Sequence, residues 1–151
     1  MIQYAVKRSY AEMQEVIEKA KKDLNNAELK KEVNFRIGSF LHWVIDYYEW
    51  AKETNYVNFS DEGISFFSGL RYANNKLKHD SGIIQVYERT GGFSFPIQFP
   101  LRIEEVAFKW RKIQENSAKW KNQHRKYEEQ ISENDTIDIA KKALEILGLN
   151  F

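Results

Sequence analysis

Cysteine is absent from this 151-residue chain. That excludes disulfides, thiolate nucleophiles and cysteine-ligated zinc, and it suits the reducing cytoplasm in which we expect the protein to reside. Proline occurs twice and glycine seven times, and no linker, internal repeat or low-complexity stretch breaks the sequence. No apolar run approaches the ~18 residues that a transmembrane helix needs, and charged residues reach 30%, so no membrane association is expected. The opening MIQYAVKRSYAEMQE has no apolar h-region of the kind a signal peptide carries. Net charge is only +1, too little for a global attraction to polyanions. A Gly-rich phosphate loop, a GxSxG elbow and an HExxH are all missing; Gly91-Gly92 has neither the lysine nor the helix that a phosphate loop requires. No metal site and no cofactor are therefore expected. His42, His79 and His124 lie far apart in the chain, and His42 with Asp46, at i,i+4, reads as a surface hydrogen bond.

What is present is a core. Apolar residues make up 42% of the chain and aromatics 15%, so large rings carry much of the burial in one domain spanning 1–151. The charge is uneven. Residues 101–126 hold 8 basic and 3 acidic side chains, a net of +5, whereas residues 127–151 hold 2 and 6, a net of −4.

The apolar period predicts mainly α structure: an antiparallel bundle of about five helices with one inserted β-hairpin, about residues 83–99. Tyr10, Met13, Ile17, Ala20 and Leu24 share one helical face, and Asn25-Asn26 breaks it. Val33, Ile37, Phe40, Val44, Tyr47 and Ala51 stripe a second helix over about 28–52; Gly38 inside it suggests a closely packed neighbour. Ser60 caps a third helix, with core positions Phe66, Leu70, Ala73 and Leu77 and a stop at Gly82. Ile84, Val86 and Tyr87 then form a β-like run, Thr90-Gly91-Gly92 a turn, and Phe93, Phe95, Ile97 and Phe99 an alternating edge strand containing Pro96. From Pro100 the residues Ile103, Val106, Trp110, Ile113, Ser117, Trp120, His124, Tyr127 and Ile131 keep a three-four rhythm, which predicts one helix of about 30 residues and roughly 45 Å, long enough to pair with a partner. His124 falls on its apolar stripe as a core or interface histidine. A last helix opens near Asp135-Thr136, buries Ile137, Ala140, Leu144 and Leu147, and ends at Gly148.

The stretch Gly69 to Asp80, GLRYANNKLKHD, carries the chemistry. Turned at 100° per residue, Arg71, Asn74, Asn75 and Lys78 form a polar strip along the edge of the buried face, closed by His79 at the helix end. Two asparagines in a helix interior have poor propensity and are usually tolerated for a hydrogen bond. With a guanidinium, an ammonium and an imidazole beside them they make an anion or phosphate cradle. The structural alternative pairs Arg71 with a carboxylate on a neighbouring helix, lets Asn74 cap the hairpin backbone, and leaves Lys78 and His79 to favour the C-terminal dipole end. Phe108-Lys109-Trp110-Arg111-Lys112 and Lys119-Trp120-Lys121 interleave rings with cations, a pattern that suits RNA stacking or two core tryptophans flanked by a solvated basic face.

Asn75-Lys76-Leu77-Lys78-His79 resembles the signature of the HEPN (higher eukaryotes and prokaryotes nucleotide-binding) superfamily, in which an arginine is followed after four to six residues by a histidine near a helix end. Here Asn74 holds the arginine position and Arg71 lies one turn earlier. The resemblance implies a small helical bundle of a toxin, defence or RNA-processing system and metal-independent RNA cleavage across a symmetric homodimer. His79 would be the general acid/base, Arg71 would stabilise the phosphorane, and Asn74, Asn75 and Lys78 would bind the substrate. The alternatives are a noncatalytic interaction module that dimerises through the long helix and the phenylalanine hairpin, and a nucleotide-binding bundle.

Overall fold

Asn26 sets the first corner. Its side chain accepts from Leu29 N at 3.1 Å and caps α2 (Ala27–Glu53) five residues after α1 (Ile2–Lys21) ends. So short a connection sends α2 back along α1, and their apolar stripes meet as the periodicity requires. Tyr10, Met13, Ile17 and Ala20 of α1 and Val33, Ile37, Phe40, Val44, Tyr47 and Ala51 of α2 are buried, with Tyr10 and Phe40 ring centroids 5.6 Å apart. At 27 residues α2 is about 40 Å long and forms the axis of the molecule.

Ser60 caps α3 (Asp61–His79) by accepting from Gly63 N at 3.1 Å, and Asp61 and Glu62 occupy its positive end. Phe67 of α3 stacks on Tyr48 of α2 with centroids 4.2 Å apart and planes 1° from parallel. The computed structural model describes residues 1–90 and 103–151. The expected turn at Thr90-Gly91-Gly92 lies largely outside these residues, and the edge strand Phe93–Phe99 and the helix start at Pro100 lie wholly outside them.

The two strands, β1 (Ile84–Thr90) and β2 (Ile103–Trp110), pair antiparallel, with Ile84 opposite Trp110 and Val86 opposite Phe108. The fold is thus mainly helical, with five α-helices and an inserted two-stranded sheet among the described residues. The expected 30-residue helix is overturned. Its first part is β2, and residues 111–117 are an extended strap. Only a 3₁₀ turn (Ala118–Trp120) and α4 (Lys121–Gln130) are helical. The same apolar residues satisfy two periods: Val106, Phe108 and Trp110 also alternate, and the presence of β1 as a pairing partner selects the strand. The expected dimerisation along that helix loses its basis.

Asp135 caps α5 (Thr136–Ile146) through Ile137 N (2.7 Å) and Asp138 N (3.2 Å), and Gly148, at φ +70°, ends its last turn. Trp110, Tyr127, Ala140 and Leu144 complete the core. Among the described residues no helix is long and apolar enough to cross a membrane.

Candidate nucleic-acid interface

The strip on α3 is divided by what lies beside it. Arg71 is ion-paired with Glu49 of α2, both side chains remaining partly exposed. This is the neighbouring-helix pairing that its place at the edge of the buried face makes available, and it neutralises the guanidinium. Asn74 turns inward and is only 9% exposed. Asn75, Lys78 and His79 are exposed. Neither Lys78 nor His79 has a carboxylate partner among the described residues. Arg71 and His79 are eight residues apart, about 12 Å along the helix. The fold therefore gathers Asn75, Lys78 and His79 at the C-terminal end of α3 and holds Arg71 and Asn74 apart from them. Five concavities formed by the described residues lie between α1 and α2, beside the sheet and around α5, and none of the five is lined by a residue of the strip.

A second guanidinium reaches this helix end from a distance in sequence. Asp80, directly after His79, accepts from Gly82 N at 2.8 Å and from Arg111 Nη2 at 2.7 Å. Arg111 arrives there because it follows the last residue of β2 and its N–H donates to the Ile83 carbonyl at 2.7 Å. No local spacing announces this; only the strand pairing produces it. Beyond it, Lys109 places its ammonium 4.1 Å from the ring centroid of Tyr87 on the outer face of the sheet, a cation–π contact that leaves the tyrosine 42% exposed.

Behind the strip lies a polar network that the sequence reading missed; His124, expected in the core or an interface, is half-buried within it. It fastens the strap at every second residue. Tyr127 Oη donates to the Arg111 carbonyl at 2.5 Å. Ile113 N donates to Glu128 at 3.1 Å, and His124 Nε2 lies 2.5 Å from the Ile113 carbonyl. Since that carbonyl can only accept, the proton sits on Nε2. Glu115 receives the Tyr72 hydroxyl at 3.3 Å and the Lys76 ammonium at 3.4 Å. Burial first, and then the Glu115 and Glu128 charges, raise the Tyr72 hydroxyl well above its ordinary pKa; burial first, and then Glu128, do the same for Tyr127. These groups position the strap, with Lys76, His124 and Glu128 remaining partly exposed. On α2, His42 and Asp46 stand 3.5 Å apart on the surface. No family model, curated protein or solved structure matches this chain.

Proposed function

We propose that this protein is a HEPN-like helical RNA-binding component of a toxin or defence system, and that it receives RNA phosphates at the C-terminal end of α3. The observation that supports this reading is the exposed trio Asn75, Lys78 and His79, an amide, an ammonium and an imidazole on one helix end with no carboxylate paired to Lys78 or His79 among the described residues. Donors of this kind suit phosphate oxygens, and they act without regard to base sequence. Lys109, Tyr87 and Lys112 extend the same chemistry onto the sheet.

A catalytic version of the reading rests on His79, an exposed imidazole, the side chain most often used as a general acid or base. In that version the ribose 2′-oxygen bonds to the adjacent phosphorus as the bond to the 5′-oxygen breaks, leaving a 2′,3′-cyclic phosphate and a 5′-hydroxyl; His79 either takes the 2′ proton or protonates the departing 5′-oxygen, and a guanidinium meets the developing charge. Arg71 could fill that role only by leaving Glu49.

The test is anisotropy of a labelled single-stranded RNA in EDTA at several salt concentrations, with the same samples run on a denaturing gel. Lys78→Glu should weaken binding about tenfold or more and flatten the salt dependence by about one phosphate contact. His79→Ala should abolish any cleavage while the RNA stays bound. Wild-type protein that fails to bind at low salt, or that binds as well with Lys78→Glu, overturns the proposal.

A further inference from the structure

The strand β1 has one edge bonded to β2 and one edge open among the described residues. Alternation fixes which groups face which way. Arg111 N donates to Ile83 O, so residues 83, 85 and 87 direct their backbone groups toward β2. Residues 84, 86 and 88 must direct theirs outward. In agreement, Trp110, opposite Ile84, bonds away from β1, to Asn134 O and Glu133 N. The preceding 3₁₀ turn is closed by the Ile83 N–H, which donates to the Asp80 carbonyl at 3.4 Å. That leaves the Ile84 carbonyl, both backbone groups of Val86 and those of Glu88 without a partner among the described residues. Unpaired edges of this kind are usually blunted by proline or lysine, and β1, IQVYERT, contains neither.

We infer that the open edge of β1 pairs with β1 of a second copy of this chain, antiparallel and centred on Val86, to form a continuous four-stranded sheet across a two-fold axis. The edge is self-complementary in this register. Val86 and the partner's Val86 exchange two hydrogen bonds, and the Glu88 N–H of each copy donates to the Ile84 carbonyl of the other. Glu88 then lies opposite an isoleucine, about 14 Å from its own symmetry mate, so like charges do not meet.

The side chains favour the same register. Ile84, Val86 and Glu88 share one face of the strand. A groove between α2 and the sheet is lined by Lys30, Val33 and Asn34 on one side and by Ile84, Val86 and Phe108 on the other. Lys30 is exposed and has no carboxylate partner among the described residues. The partner's Glu88, set against Ile84, brings a carboxylate to Lys30, and the symmetry repeats the pair. On the opposite face Tyr87 crosses Gln85 of the partner subunit, two exposed side chains that the pairing would cover. A closed isologous contact of this kind stops at the dimer rather than growing into a fibre. The inference stands whether or not the protein binds RNA.

Sedimentation of the purified full chain over a range of concentrations tests it. The wild type should be a dimer. Val86→Pro removes an outward N–H without touching the bonds to β2, so it should halve the mass with the helical circular dichroism unchanged. Glu88→Lys should weaken the dimer about tenfold or more, and Lys30→Glu combined with Glu88→Lys should restore it. Should Val86→Pro fail to fold, the charge reversal and its rescue decide alone. A wild type that stays monomeric across the accessible range overturns the inference, even if it binds extended peptides, and so does a dimer indifferent to both charge variants.

Discussion

Tyr127 shows how much one hydroxyl can hold. The ring is fully buried, and its oxygen donates to the Arg111 carbonyl at the point where the strap leaves β2. Arg111 then reaches Asp80 with its guanidinium and Ile83 with its N–H. Removing the hydroxyl leaves a carbonyl with an unmet acceptor at a part-buried position, which costs about 1–3 kcal/mol. Tyr127→Phe should lower the unfolding free energy by that amount, read as a lower urea midpoint at an unchanged m-value, since the ring still fills its site. An unchanged midpoint would mean that the strap is held by Ile113 and Glu115 without it. At this scale the candidate site was half legible. The exposure of Lys78 and His79 follows from their helical angle. The capture of Arg71 by Glu49 was visible as one of two options, because nothing in a local stretch says which carboxylate of α2 will face it. Arg111 was not legible in that role, because a contact between residues 80 and 111 exists only once the strands are paired.

At the scale of elements, caps and stripes were informative and the longest periodic run was not. Asn26, Ser60 and Asp135 each cap a helix with a side-chain bond. Every stripe residue named for α2 is buried. The run from Ile103 to Ile131 failed because its apolar residues fit a 3.6 period and, over Val106, Phe108 and Trp110, a period of two as well. Tertiary pairing with β1, which no window of the sequence contains, decided between them. Glycine tells a similar story. Gly38 seemed to mark a close approach, yet a Cβ there would meet only Leu77 Cδ2, at 3.6 Å. The close approach is at Gly69, where a Cβ would come within 3.0 Å of the backbone of Lys126 and Tyr127, so this glycine lets α4 lie against α3. Gly38→Ala should accordingly be neutral or stabilise by up to about 1 kcal/mol through helix propensity. Gly69→Ala should destabilise by about 1–3 kcal/mol, because backbone rather than a flexible side chain must move. Thermal melts of the two variants against wild type check this; equal shifts would show that α4 can retreat freely.

At the scale of the whole molecule, the +5 block over residues 101–126 does not act as one field. Folding spreads it over β2, the strap and α4, and answers part of it locally: Arg111 by Asp80 and Arg125 by Glu129. The larger pH effect comes from neutral groups. Tyr10, Tyr72 and Tyr127 are buried, and in each the hydroxyl is raised above the ordinary value of 10.0, chiefly by burial. The unfolded chain releases these protons near pH 10, whereas the folded chain keeps them to higher pH. Between those limits the native state binds more protons than the unfolded state, so stability falls as pH rises. The contribution is fully present below about pH 10 and is lost above it. Tyrosines that titrate alike in both states add nothing to this slope. Urea unfolding at a series of values from about pH 8 to pH 11 should therefore show a plateau and then a decline. The doubly substituted Tyr72→Phe, Tyr127→Phe protein should start lower on the plateau and decline less steeply, because two of the three phenolic protons responsible have been removed. Parallel declines in the two proteins would place the alkaline sensitivity elsewhere, in the lysines, and would mean that water reaches the Tyr72–Tyr127 pair behind the strap.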